Sequence, residues 1–305
     1  MSTSNIALCI SGQMRTYEKC FPSIKKYLLE PYQPDIFIHT WTDRGSANQP
    51  KRFLPSSLLN TAKTNKNLNR FLNNFISNYS TTSINDNGSL IDLDHIQSLY
   101  NPKDLVLETF PENGHWRLFG NSVPDRLIQR IEELNIGLDS NFLAWRGVLG
   151  GLPMFYKIYA CNDIIKKWQI KNNVTYDLVI RLRPDIVLTD TIPLIDTSTT
   201  NCIGFSTTKE PSNYSTGHRV SDQFFWGPPD LMDNIANIWS KLPEYYSTMA
   251  DSPEYNVFGG ERVLALHCRR ENIQLKPYRL HEQILREKRN YKNILNVLIK
   301  SLRRS

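Results

Sequence analysis

Apolar residues in the first forty positions fall into two short unbroken runs with a segment of helical spacing between them. Ile6-Ala7-Leu8-Cys9-Ile10 shows no polar alternation, the mark of a strand buried on both faces. Ser11-Gly12-Gln13 reads as a turn. Phe21, Ile24, Tyr27 and Leu28 then recur at helical intervals, with Pro22 best placed near the first turn and Pro31 and Pro34 as stops. Asp35 to Trp41 predicts a second buried strand. Strand, turn, helix and strand make a βαβ unit, whose right-handed crossover sets the two strands parallel and adjacent.

The pattern then loosens. Between residues 55 and 90, 19 of 36 positions are Asn, Ser or Thr, with a weak helical stripe through Leu58, Leu59, Leu68, Phe71, Leu72 and Phe75. That composition predicts an inserted helical hairpin and loop, not a separate domain. Asp104 to Phe110 reads as a third strand and residues 124–135 as a helix. A long helix is predicted from Asn141 to Gln169, interrupted near Gly150, Gly151 and Pro153, with Met154, Ile158, Cys161, Ile165 and Trp168 on one face. It leads into a strand from Tyr176 to Asp185 with a strongly polar end. Strands at Cys202–Ser206 and Gln223–Trp226, helices at Pro229–Ser240 and Glu261–Arg270, and a basic terminal helix complete the reading. The predicted class is α/β: one Rossmann-like domain over residues 1–275 with a mostly parallel central sheet. Residues 55–140 form an insertion and acceptor-side region, and residues 276–305 an amphipathic helix.

Charge sharpens this picture. The net charge of +6 invites a nucleic-acid reading, but nine Lys/Arg against two Glu lie in residues 276–305. The body, residues 1–275, holds 27 basic and 28 acidic groups and has no excess from which to build a broad basic face, so nucleic acid is not an expected partner. Five cysteines form no CxxC pair, which disfavours a zinc ribbon and a disulfide framework. With no apolar leader and no long apolar run, the expected location is cytoplasmic.

Four places carry candidate chemistry. Ser11, Gly12, Gln13 and Arg15 follow the first strand, where open α/β sheets bind ligands. Gly12 permits close backbone approach, and the others offer donors to a phosphate or base. The turn matches neither GxGxxG nor GxxxxGK[ST], which disfavours a dinucleotide site and excludes a Walker-type NTPase. Trp41 and Asp43, at the end of the second strand, can hold a ring and a ribose, although Trp41 also suits a core. Alternation sets Arg181, Arg183 and Asp185 on one strand face, where arginines can neutralise phosphate and Asp185 can hold a divalent metal or a sugar hydroxyl. An internal Arg–Asp salt bridge is the plain alternative. Asp222 opens a very apolar strand and suits a general base or a turn cap, and Glu261 follows Gly259-Gly260 at a helix start.

Together, ALCISGQMRTYEKCFPSIKKYLL, PDIFIHTW, MFYKIYACNDIIKKW and YDLVIRLRPDIVL resemble glycosyltransferases of bacterial and viral polysaccharide loci. These are GT-A-type nucleotide-diphosphosugar transferases, similar in pattern to WavE-like lipopolysaccharide synthesis proteins. The resemblance covers residues 5–43 and 141–227, with a looser echo at GGERVLALHC. It implies a nucleotide-sugar donor bound by Ser11, Gly12, Gln13 and Arg15, and a glycan or lipid-linked acceptor. It also implies a metal–diphosphate motif in mid-chain. Arg-Pro-Asp stands at that position, so only Asp185 carries over as a ligand for Mn²⁺ or Mg²⁺, and Arg181 and Arg183 can supply the positive charge instead. Asp222 is then the expected acceptor-side base, with Glu261 as substitute. From Ile284 onward, Tyr291, Ile294, Leu295, Leu298, Ile299 and Leu302 share one helical side among basic residues, which suits peripheral attachment to an anionic membrane. Two other classes are alternatives: another Rossmann-like transferase such as a methyltransferase, whose glycine-rich first loop and acidic second-strand end are only partly present, and a non-catalytic sugar-binding or assembly protein that keeps the GT-A shell.

Overall fold

The computed structural model describes residues 5–44, 90–109, 138–193, 201–207, 220–252, 258–280 and 282–285. All of them lie in one compact unit, residues 1–45 and 89–285. A second unit, 46–88 and 286–305, lies outside the described residues. The expected insertion at 55–90, the helix at 124–135 and the amphipathic tail from 286 onward therefore fall outside what can be described, except that Leu90 forms a bridge with Asp43.

Strand β1 (Ile6–Ser11) leads through helix α1 (Tyr17–Ile24), a π-helical turn (Lys25–Leu29) and α2 (Glu30–Tyr32) into β2 (Asp35–Trp41). As expected, β1 and β2 are parallel neighbours, Ala7 opposite Asp35 and Ser11 opposite His39. Pro22 lies inside α1 and not in its first turn, and the widened turn begins three residues later. A proline there donates no N–H and its ring pushes away the carbonyl four residues back, which favours wider winding. The helix stops at Gln33, in the left-handed region at φ 46°, ahead of Pro34.

Helix α3 (Leu93–Tyr100) precedes β3 (Asp104–Glu108), and α4 (Leu138–Asn172) precedes β4 (Leu178–Leu182). Gly150, Gly151 and Pro153 do not interrupt α4, contrary to the sequence reading. Buried Leu152, Phe155 and Ile158 hold that stretch against the sheet, and packing overrides weak local propensity. After β5 (Ile186–Leu188) come β6 (Ile203–Thr207), β7 (Phe224–Gly227), α5 (Pro229–Ala236), α6 (Ile238–Asp251), α7 (Gly260–Arg270), β8 (Leu275–Arg279) and β9 (Glu282–Ile284). The main sheet has seven strands in the order β3-β2-β1-β4-β7-β6-β8, parallel throughout except for β7. β5 and β9 pair separately and antiparallel.

Residues from 276 were expected to form the terminal helix. Lys276 to Arg279 instead belong to β8, paired with β6, and Glu282–Ile284 form β9. Pro277 explains the choice: it breaks a helix, yet it is tolerated on an edge strand such as β8.

The two faces of the sheet divide the core by alternation. Ile6, Leu8, Ile10, Ile36, Ile38 and Ile180 pack with Tyr17, Cys20 and Ile24 of α1. Ala7, Cys9, Phe37 and Val179 pack with Ile158, Cys161 and Ile165 of α4 and with α5 to α7. The five cysteines are buried free thiols. Among the described residues, no helix is long and apolar enough to cross a membrane.

Candidate active site

The chain leaves β1 for one face of the sheet and enters β4 from the other, so the carboxyl ends of these parallel neighbours form a topological switch point. Gly12 to Arg15 follow β1, and Arg183 to Asp185 follow β4. Gly12 has φ 124°, a conformation that L side chains rarely adopt, and its carbonyl accepts from Thr40 Oγ1 at 2.6 Å. Arg15 has a positive φ of 29°. Its N–H donates to the Arg44 carbonyl at 2.9 Å, and Arg44 Nε donates to the Arg15 carbonyl at 2.5 Å. Arg44 is held in turn by Glu18.

Asp185 lies at the base of this corner with no exposed side-chain surface. Arg183 Nε donates to its Oδ1 and Arg183 Nη2 to its Oδ2, each at 2.9 Å. Arg15 Nη1 donates to the same Oδ2 at 3.0 Å. Gln13 Oε1 accepts from Arg15 Nε and Nη2 at 3.1 and 2.7 Å. Burial alone would push the Asp185 carboxyl up, but the charges of Arg183 and Arg15 outweigh it and hold the carboxyl below its usual range. The two arginine side chains keep 23% and 21% of their surface, so a buried anion orients two partly exposed cations. The backbone N–H of Leu285, next to β9, donates to the Asp185 carbonyl at 2.9 Å.

Arg181 departs from expectation. It does not share an open face with Arg183 and Asp185, because β4 ends at Leu182 and Asp185 sits in the following turn. Arg181 is 1% exposed and points into the core beneath the site. Its Nε donates to Ser11 Oγ at 3.3 Å, its Nη1 donates to the Asp222 carbonyl, and its guanidinium carbon lies 5.5 Å from the Phe225 ring centroid. Burial draws its pKa down to about 10, against the opposing charge of Asp222. Ser11 is fully buried as its acceptor. Both residues brace the site from below, so neither takes the donor-contact role expected of it.

The antiparallel sense of β7 brings its beginning to the carboxyl end of β4, where Arg183 N–H donates to the Gln223 carbonyl at 3.1 Å. Asp222 is half-buried beside the first turn of α7. A Cβ on Gly260 would lie 2.6 Å from Asp222 Oδ2, so this glycine makes room for the carboxylate beside a helix N-terminus. The Glu261 carbonyl accepts from Val220 N–H at 3.1 Å, tying the two candidate acids to one place. Four sequence segments, 11–15, 183–185, 222–223 and 260–261, thus meet. We expect Gly260→Ala to displace the Asp222 carboxylate while shifting stability by no more than about 1 kcal/mol, with Met154 Cε, also 2.6 Å away, able to move. Chemical denaturation checks the fold, and activity should fall as it does in an Asp222 variant.

Trp41 and Asp43 lie at the end of β2, just before Arg44. Trp41 is 3% exposed, stacks on Tyr156 at 5.9 Å and 22°, and has Lys157 Nζ 3.5 Å from its ring centroid. Its ring is enclosed by protein and does not offer a platform for a base. Asp43 is exposed and bridges to Leu90.

Lys157 escaped the sequence reading because it stands beside Ile158 in an apolar helical stripe. It is fully buried, donating to Glu108 Oε2 at 2.8 Å and to the Thr40 carbonyl at 3.0 Å, and burial draws it down to about 8. Tyr156 Oη donates to Glu108 Oε1 at 2.8 Å, and His39 Nε2 lies 3.7 Å from the same oxygen.

Burial also draws His39 and His267 down to about 4, so both stay neutral in the fold at neutral pH. The unfolded chain binds their protons near pH 6.5, so stability should fall as pH drops through the window from 6.5 to 4. The expected loss by pH 5 is about 2 kcal/mol per histidine, and urea midpoints at pH 7 and pH 5 measure it.

No protein-family model and no curated protein matches the chain.

Proposed function

We propose that the protein is a GT-A-type glycosyltransferase that moves a sugar from a nucleotide-diphosphate donor to a hydroxyl of a glycan or lipid-linked acceptor in surface polysaccharide synthesis. The observation that carries this reading is the pair Arg15 and Arg183, clamped on buried Asp185 at the switch point of a mostly parallel sheet. Planar guanidiniums match phosphate oxygens geometrically, and holding them fixed before the donor arrives avoids reorganisation during the reaction. Gly12 lets the backbone approach the ligand, and Gln13 keeps Arg15 in position.

In this reading an acceptor hydroxyl oxygen attacks the anomeric carbon. The bond from that carbon to the diphosphate oxygen breaks, its electron pair leaves with the diphosphate, and the hydroxyl proton passes to Asp222. Glu261 is the substitute base. Asp222 adjoins Gln223, whose carbonyl accepts from Arg183 N–H, and this proximity in the chain supports a base close to the phosphate cations. Attachment to a membrane surface through residues 286–305 rests on their sequence pattern alone.

A thermal-shift panel tests the donor class. UDP-, GDP- and dTDP-sugars share the diphosphate, whereas CMP-sugars carry a single phosphate. At least one diphosphosugar should raise the melting temperature by several degrees, consistent with roughly 2–3 kcal/mol at about a hundredfold excess over Kd. CMP-sugars should do less. A panel in which no diphosphosugar shifts the transition overturns the reading.

A further inference from the structure

Resting on that reading of the crevice, we infer that the donor diphosphate is held by the guanidiniums of Arg15 and Arg183 in place of a divalent cation, so that binding does not require metal. The resemblance to GT-A enzymes would make Asp185 the metal ligand, and the geometry does not fit that role. Three guanidinium N–H groups already converge on its two carboxylate oxygens, at 2.9, 2.9 and 3.0 Å, and the side chain has no exposed surface. A dication would have to reach a carboxylate with no exposed surface and would lie against two positive charges.

Positive charge is instead built into the chain. Two cations converge on Asp185, and each keeps about a fifth of its side-chain surface exposed. Arg15 spends three N–H donors on Gln13 and Asp185, out of the five that a guanidinium carries. Its backbone is fixed by Arg44 and its guanidinium is held by Gln13 and Asp185, so no bound ion is needed to orient it. Asp185 is then a positioning residue: it aims the arginines and does not touch the phosphate.

Inorganic pyrophosphate is the appropriate probe, because it carries the recognised group without base or sugar. Isothermal titration of the full chain should show pyrophosphate binding in EDTA, no weaker than in excess Mg²⁺ or Mn²⁺ beyond about threefold. Mn²⁺ titrated alone should give no saturable signal in the micromolar range. Arg15→Gln should weaken binding at least tenfold in EDTA, equivalent to about 1.4 kcal/mol; circular dichroism reports whether this variant folds, and Arg15→Lys substitutes if it does not. Pyrophosphate binding that appears only with metal overturns the inference while leaving the crevice as the donor site. No binding in any buffer overturns the crevice assignment itself, and the inference with it.

Discussion

Replacing Asp185 with alanine should lower the melting temperature by roughly 3–6 °C and abolish measurable donor binding in the protein that remains folded. The expected magnitude follows from what the carboxylate does. It is the common acceptor for Arg15 and Arg183 and is completely buried, so its removal leaves two cations facing each other without their shared counter-charge. Removing one partner of a buried ion pair costs about 3–5 kcal/mol. The arginines here are about one-fifth exposed and can recover some hydration, which brings the expected cost to about 2–4 kcal/mol. The binding loss has a separate cause: the guanidiniums remain, but nothing aims them. A double-mutant cycle between Asp185→Ala and Arg15→Ala measures the coupling, which should exceed 1 kcal/mol, the scale of an exposed surface pair. Additive effects would show that the contact does not organise the site.

Asp222→Asn should reduce kcat by about 10²–10⁴ while changing donor affinity little, because a general base acts on the acceptor proton and not on the donor. Asparagine keeps the shape of the side chain beside α7 and loses only the basic oxygen. The Asp222 backbone carbonyl, which accepts from Arg181, is untouched, so the fold should survive. Glu261→Gln is the control, since it changes the other acid at the same helix start. A silent Asp222 variant together with an inactive Glu261 variant would transfer the base role to Glu261. If both retain full transfer, neither acid is the base.

Much of the architecture could be read from hydrophobic periodicity, and particular residues show where that reading stops. β1, β2, β3 and α7 were legible because a continuous apolar run or a clean helical stripe leaves few alternatives. The course of α4 through Pro153 was not, since its continuity comes from tertiary packing that no local window contains. β8 was hidden in a basic segment, because an edge strand tolerates both charge and Pro277. At the site, the internal Arg–Asp salt bridge that was the plain alternative is present between Arg183 and Asp185, whereas the strand face that alternation drew through Arg181, Arg183 and Asp185 ends at Leu182. Trp41 suited both a ligand platform and the core in sequence, and its stacking partner, Tyr156, which encloses it, arrives from a helix more than a hundred residues away. The long-range meeting of Asp222 with Gly260 was equally invisible, although the Gly259-Gly260 pair was its one local sign.

The Arg15–Asp185–Arg183 corner is proposed as the donor-diphosphate site. Isothermal titration of the best diphosphosugar from the panel into wild-type protein and into folded Arg15→Gln tests it most directly. The expected result is at least a tenfold rise in Kd, because one charge-assisted bidentate contact contributes about 1.5–3 kcal/mol. An unchanged Kd in a variant whose circular dichroism matches the wild type would contradict the assignment.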